Sequence, residues 1–207
     1  MERHGIIILN GSGEAGKDTF IKFFCRNCPG MRVRRISTID PVQTAMLLHL
    51  GWDGETKDKA HRRMMHEIKK SWSKNLDGPF KYVLNLVTFD MERRLRLGYG
   101  EDTVHFILAR EPEEITKMVK MYNKVVPVTT VLIKRRRNEK YGNSSDDNVT
   151  DYTYDKVIRN DSDLDTFEDR TRSFIDSFKT YGVSRITQET LEYLKELYAE
   201  WLDDEHE

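Results

Sequence analysis

Three glycines, a lysine and a threonine fall within one short stretch near the N-terminus, Gly11-Ser12-Gly13-Glu14-Ala15-Gly16-Lys17-Asp18-Thr19. Glycine reaches backbone conformations that a β-carbon disfavours, so successive N–H groups here can converge on the oxygens of a phosphate at a helix N-terminus. Lys17 adds a point charge for β- and γ-phosphates, with Glu14 and Ala15 as the backbone between the glycines. One position departs from the usual pattern. Where Ser or Thr normally offers Mg²⁺ a neutral hydroxyl, Asp18 offers a carboxylate that would repel a triphosphate unless a cation stood between them. Thr19 keeps a hydroxyl one residue on. The residue types therefore predict a nucleotide-phosphate loop, with a cation between Asp18 and a bound triphosphate. The competing reading is a glycine-rich turn without a ligand.

What flanks the loop decides between the two. The apolar run at residues 5–10 has the composition of a buried strand, and residues 18–24 carry apolar side chains at helical spacing. Strand, loop and helix arrive in the order that phosphate binding requires. Further strands are predicted at residues 32–37, 103–109, 126–133 and 154–158. Between and after them come helices near residues 42–50, 57–72, 82–97, from 110 onward, 164–178 and 187–202. Asp40 is expected to cap the second helix, whose Pro41 suits a first turn. In the third, Ala60, Met64, Met65, Ile68 and Trp72 make one apolar stripe, and Lys59, Arg62 and Arg63 stand off it. Such alternation predicts an α/β domain with a parallel sheet covered by helices on both faces.

The chain has 207 residues and a formal net charge of −1, so its overall field directs it to neither nucleic acid nor an anionic membrane. No stretch approaches transmembrane length, and the N-terminus enters the first strand without room for a signal peptide, which predicts a cytoplasmic protein. Cys25 and Cys28 lack the further ligands that zinc would need, and redox chemistry is the minor reading for them. His61 and His66 are five residues apart and diverge around their helix, so they are read as surface residues.

A phosphate loop alone does not name a reaction. Asn123-Lys124 is followed by Val125 and lacks the carboxylate of a guanine reader, which argues against a GTPase. The best interior strand ends in Leu108-Ala109-Arg110, and an arginine there suits an anionic acceptor. Arg135, Arg136 and Arg137 open a stretch poor in apolar residues, 142–148, that cannot pack a core. Phosphoryl transfer needs charge neutralisation and exclusion of water, and a mobile lid bearing arginines meets both needs. The alternatives for this cluster are a solvated basic run or an RNA-contacting patch.

Together, Gly16-Lys17-Asp18-Thr19, Arg110 ahead of a helix, the late arginines and Ile158-Arg159-Asn160-Asp161 resemble the nucleoside-monophosphate-kinase-like P-loop kinases. The similarity is to the branch with Lys-Asp in the loop, which includes phage deoxynucleoside monophosphate kinase and animal phosphomevalonate kinase, and it spans roughly residues 5 to 180. The resemblance implies a three-layer α/β/α kinase domain over 1–181, with an acceptor-binding helical region at 40–76, a lid at 135–151 and a C-terminal helical extension over 182–207. It implies that Gly11, Gly13, Glu14, Ala15, Gly16, Lys17, Asp18 and Thr19 hold ATP and that Asp18, with or without Thr19, organises Mg²⁺. Arg110 would grip the acceptor phosphate with help from Arg62 or Arg63, and Asp40 would lie on the acceptor side. Arg135 and Arg137 would close on the transferring phosphoryl, and Asn160 would lie near the adenine.

The family often places Asp before the arginine of the third strand, where Leu108 and Ala109 stand here. Asp40 and Asp90 are the substitutes for that second carboxylate, with plain readings as a helix cap and a surface charge. The expected activity is ATP-dependent transfer to a small phosphorylated acceptor, first a (deoxy)nucleoside monophosphate. Alternatives are another small acceptor, or a nucleotide-sensing or RNA-binding module without catalysis. The C-terminal helix either covers the sheet edge or makes a homodimer contact.

Overall fold

The fold is seen in a computed structural model that describes residues 2–136 and 149–204. Arg137 and most of the predicted lid fall outside these residues. The first apolar run forms β1 (Arg3–Asn10), buried from His4 onward. Side chains alternate along a strand, so Ile6 and Ile8 enter one hydrophobic cluster and Ile7 and Leu9 another. A strand buried on both faces needs helices on both faces. On one side α1 (Lys17–Asn27) and α6 (Leu164–Tyr181) supply Phe20, Phe24, Phe167, Phe174 and Phe178. On the other, α4 (Gly78–Leu97), α5 (Pro112–Tyr122) and α7 (Gln188–Asp204) supply Phe80, Val83, Ile115, Met118, Leu191 and Leu194. Each fully buried phenylalanine is worth about 2–3 kcal/mol of transfer free energy, so the two layers clamp β1 at the centre.

The strand order is β2 (Met31–Ser37), β3 (Asp102–Leu108), β1, β4 (Val128–Lys134) and β5 (Lys156–Arg159), with every pairing parallel. The predicted parallel sheet between two helical layers is thus what forms. The short β6 (Ser184–Arg185) runs antiparallel against Arg3 and His4 and was not expected, since two residues carry no periodicity. It leads into α7, which packs on α4 and α5. Two strands start later than predicted. Val126 is still tied to the end of α5 by its N–H on the Tyr122 carbonyl, and Asp155 is spent accepting from the Thr130 N–H at 2.8 Å and hydroxyl at 2.7 Å.

The helical region between β2 and α4 comprises α2 (Asp40–His49) and α3 (Lys59–Leu76), which share a small cluster of Val42, Met46, Trp52 and Met65. Of the predicted stripe on α3, Met65 is buried and Ile68 and Trp72 pack partly, but Ala60 and Met64 are exposed. The reason is that α3 lies against other helices instead of the sheet, so its contact stripe is narrow. Lys69 and Ser73 reach the buried Glu114 of α5 at 2.8 and 3.3 Å, and Lys117 of α5 reaches Asp77 at 2.6 Å. These contacts fasten α3 to the core. Among the described residues, no helix is long and apolar enough to cross a membrane.

Asp90 corrects a sequence expectation, because it is neither a surface charge nor near the phosphate loop. It lies on the buried face of α4, on the sheet side opposite α1, where its Oδ2 is 3.1 Å from His105 Nε2 and its Oδ1 lies 3.6 and 3.7 Å from Arg32 and Arg34. The His105 ring stacks on His4 at 5.9 Å between centroids, and His4 Nε2 is 3.0 Å from Glu2. Burial, the neighbouring His105 and Arg94 push His4 down to about 3, and burial likewise lowers His105. A histidine kept neutral in the fold takes up a proton only on unfolding. For His4, stability is therefore full above the unfolded value near ~6.5 and is lost below it, at about 1.4 kcal/mol per pH unit down to about 3, and the lowered His105 acts in the same direction. Urea unfolding between about pH 7 and about pH 5 should show this slope, and His4→Phe should make it shallower. An unchanged slope in that variant would assign the acid sensitivity to other groups.

Candidate functional site

Parallel strands end on one edge, and a crevice opens where neighbouring strands send their connections in opposite directions. From β1 the chain leaves toward β2, whereas from β4 it leaves toward β5, so that switch point lies between β1 and β4. The glycine-rich loop emerges there. Gly11 (φ 153°), Glu14 (φ 61°) and Gly16 (φ 104°) hold positive φ, and Gly16 is the N-cap of α1. A β-carbon on Gly16 would stand 2.5 Å from Asn160 Nδ2, and one on Gly11 would stand 2.7 Å from the Ile133 carbonyl. Two of the three glycines are thus required by close approach as well as by conformation. The loop turns back through the Ala15 N–H on the Ser12 carbonyl at 3.2 Å and delivers the chain into α1. A helix N-terminus behind such a loop is a place for anionic oxygens.

Two asparagines brace the loop. Asn10 Oδ1 accepts the Gly11 N–H at 2.7 Å, while its amide donates to the Arg110 carbonyl at 3.0 Å and contacts the Tyr154 hydroxyl at 2.6 Å. That hydroxyl donates in turn to the Val149 carbonyl at 3.0 Å, and burial pushes its pKa up to about 12. Asn160, at the end of β5, is buried and donates to the Ala15 carbonyl at 2.8 Å. Its side chain is therefore committed to the loop. Replacing Asn160 with alanine leaves a buried carbonyl unpaired, and such a loss costs about 1–3 kcal/mol. We expect a lower urea midpoint and nucleotide affinity weakened roughly tenfold, with magnesium present or absent. Unaltered binding in a destabilised variant would separate the brace from the ligand.

Lys17 folds back so that its ammonium donates to the carbonyls of Gly11 at 2.6 Å and Ser12 at 2.9 Å. Arg135, leaving β4 across the switch point, reaches the Glu14 carbonyl with Nη1 at 3.3 Å. Arg110, half-buried, follows β3 at the same sheet edge, tied there through its carbonyl to Asn10. The structure therefore brings together the loop, Lys17, Arg110, Arg135 and Asn160. Arg62 and Arg63 are occupied locally instead, Arg62 on the Lys57 carbonyl at 2.7 Å and Arg63 on Glu67 at 2.8 Å, and both are exposed. Arg137 lies outside the described residues.

The carboxylates of the site are arranged around a residue that the sequence reading passed over. Arg35 Nε is 3.4 Å from Asp18 Oδ1, and Arg35 Nη1 is 3.5 Å from Asp40 Oδ2. Asp40 does not cap α2 as expected. Ile39 holds the N-cap position, and the Asp40 carboxylate turns back to accept the Ser37 N–H at 2.9 Å, closing the turn from β2. Near Asp40 stands Tyr82 of α4, its pKa raised by burial and by the Asp40 charge, with the Trp72 ring 6.5 Å away. The one available signal for Arg35 was the basic strand Arg32-Val33-Arg34-Arg35. Its period of two sends Arg32 and Arg34 to Asp90 and turns Arg35 to the opposite face, where α1 begins.

No group of three His, Cys, Asp or Glu converges to hold a metal among the described residues. Asp18 nevertheless fits the magnesium of a nucleotide complex, because its side chain is 72% exposed beside the loop and Mg²⁺ usually completes its shell with phosphate oxygens and water. Cys25 and Cys28 are free thiols whose pKa values burial raises, which withholds the thiolate that redox or metal chemistry would use.

No protein-family model and no curated protein sequence matches the chain. Solved structures similar to it include an APS kinase of Mycobacterium tuberculosis, at 13% identity and TM-score 0.48, over 86% of this chain and 99% of that one. Another is a sugar kinase of Janibacter, at 11% identity and TM-score 0.41, over 85% of this chain and 95% of that one. A third is a gluconokinase of Sinorhizobium meliloti, at 10% identity and TM-score 0.42, over 84% of this chain and 93% of that one.

Proposed function

We propose that this chain transfers the γ-phosphoryl group of ATP, held with magnesium, to a small phosphorylated acceptor, foremost a nucleoside or deoxynucleoside monophosphate. One observation carries the reading. The loop at 11–19 sits at the switch point of the parallel sheet with Lys17 folded over it and Arg135 reaching it from the neighbouring strand. A purely structural turn has no use for two cations converging on it, one from the first turn of α1 and one from the end of β4.

Each residue has a role that its position supports. Backbone N–H groups of the loop and Lys17 bind the β- and γ-phosphates, and Asp18 holds the magnesium, which neutralises charge on those phosphates when bound. Arg110, at the same edge, receives the acceptor phosphate and sets it in line. Arg135 faces the transferring group and opposes the charge that spreads over its oxygens. The helical region of α2 and α3 walls the acceptor side, and the Tyr82 and Trp72 rings, tilted 56° to each other, each offer an aromatic face suited to a base.

The test is a coupled measurement of ADP release with magnesium and ATP over a panel of acceptors: nucleoside monophosphates, nucleosides, phosphomevalonate and sugars. Turnover with a monophosphate supports the proposal as stated, and turnover with another acceptor keeps the transfer chemistry but moves the substrate. Tight binding of magnesium and ATP without turnover on any acceptor would favour a nucleotide-sensing module.

A further inference from the structure

We propose that Arg35 is a positioning residue that stands in for the divalent cation: its guanidinium, between Asp18 of α1 and Asp40 of α2, holds the two carboxylates until the magnesium of the nucleotide takes over Asp18. The inference rests on the proposed nucleotide site and extends it to a residue of β2 with no place in the loop motif. Two carboxylates flank one guanidinium at 3.4 and 3.5 Å. The contacts are long for charge-assisted hydrogen bonds, which lie near ~2.8 Å, and the groups are partly exposed. Such a grip is electrostatic and readily exchanged. Asp40 keeps a second partner, the Ser37 N–H at 2.9 Å, whereas Asp18 has no other salt-bridge partner among the described residues. Competition from a divalent cation should therefore release Asp18 first and leave Arg35 with Asp40.

This arrangement answers the difficulty posed by an aspartate beside a phosphate loop. An uncompensated Asp18 would repel a triphosphate arriving without metal, and Arg35 screens that repulsion while the site is empty of metal. The same bridge connects the first turn of α1 to the first turn of α2, so loss of Asp18 to magnesium loosens one link between the nucleotide side and the acceptor side. Nucleotide binding would then be sensed by the helical region through a single side chain.

The experiment uses the full chain and its Arg35→Ala and Arg35→Lys variants. Binding of Mn²⁺ without nucleotide is read from the loss of the free-ion EPR signal, and ATP binding is titrated both with magnesium and with a chelator. Removing one positive charge beside two carboxylates should tighten Mn²⁺ binding about tenfold in Arg35→Ala, with Arg35→Lys near the parent. The alanine variant should also lose about tenfold in affinity for metal-free ATP while keeping its affinity for the magnesium complex. Equal losses under both conditions, or Mn²⁺ binding unchanged by Arg35→Ala, overturn the proposal for Arg35. A parent protein that binds no ATP under either condition overturns the nucleotide site itself, and the two failures are distinguishable.

Discussion

Lys17→Ala should lower phosphoryl transfer by about 1,000-fold, some 4 kcal/mol of transition-state stabilisation, while leaving the fold in place. The ammonium donates to the Gly11 and Ser12 carbonyls at 2.6 and 2.9 Å and contributes nothing to either hydrophobic layer. Those carbonyl contacts cost little to exchange for phosphate oxygens, which attract the charge more strongly. Lys17→Arg should not restore the rate, since a planar fork on a longer reach cannot replace a compact ammonium in a tight loop. Steady-state turnover with the accepted phosphate acceptor measures the loss, and circular dichroism with urea unfolding checks the fold. Normal turnover in Lys17→Ala would end the assignment of 11–19 as the catalytic phosphate loop.

How much of this was legible in the sequence depends on the range of the interaction that fixes each part. The loop and its strand and helix are local, and so residues 5–24 could be read directly from glycine spacing and apolar runs. The same held for the central strands, whose burial on both faces leaves long apolar stretches such as 103–109. Roles set by contacts far apart in sequence were not legible. Asn10 looks like an ordinary strand end until Arg110 and Tyr154 arrive from 100 and 144 residues away. Asn160 carries a family expectation near the adenine, yet its amide is committed to the Ala15 carbonyl from 145 residues away. Arg35 and Asp90 are the clearest cases. Each is one charge among several in its stretch of sequence, and only the folding of β2 between α1 and α4 gives one arginine two carboxylates and one carboxylate two arginines.

The arginine that leaves β4 separates catalysis from simple attraction of anions. Arg135→Ala should reduce kcat about 100-fold while changing the dissociation constant of the magnesium–ATP complex by less than about threefold. The reason lies in where the side chain points. Its Nη1 contacts the Glu14 carbonyl at 3.3 Å, a single weak bond to the loop, which leaves further N–H groups for the transferred group of the proposed reaction. In phosphoryl transfer the charge spreads over the equatorial oxygens only as the bond to the leaving group loosens, so a planar donor aimed there gains most in the transition state. Arg135→Lys should recover part of the loss, because it keeps the charge but not the fork. Arg137→Ala, at a position expected on sequence grounds to act with it, should behave alike if both serve transfer. An RNA-contacting role predicts a different outcome: kcat would be spared in both variants, RNA binding would weaken, and its dependence on salt would become shallower by about one unit for each phosphate contact removed. Stopped-flow transfer and RNA titrations at two salt concentrations decide between them, since no single contact of Arg135 can yield both results.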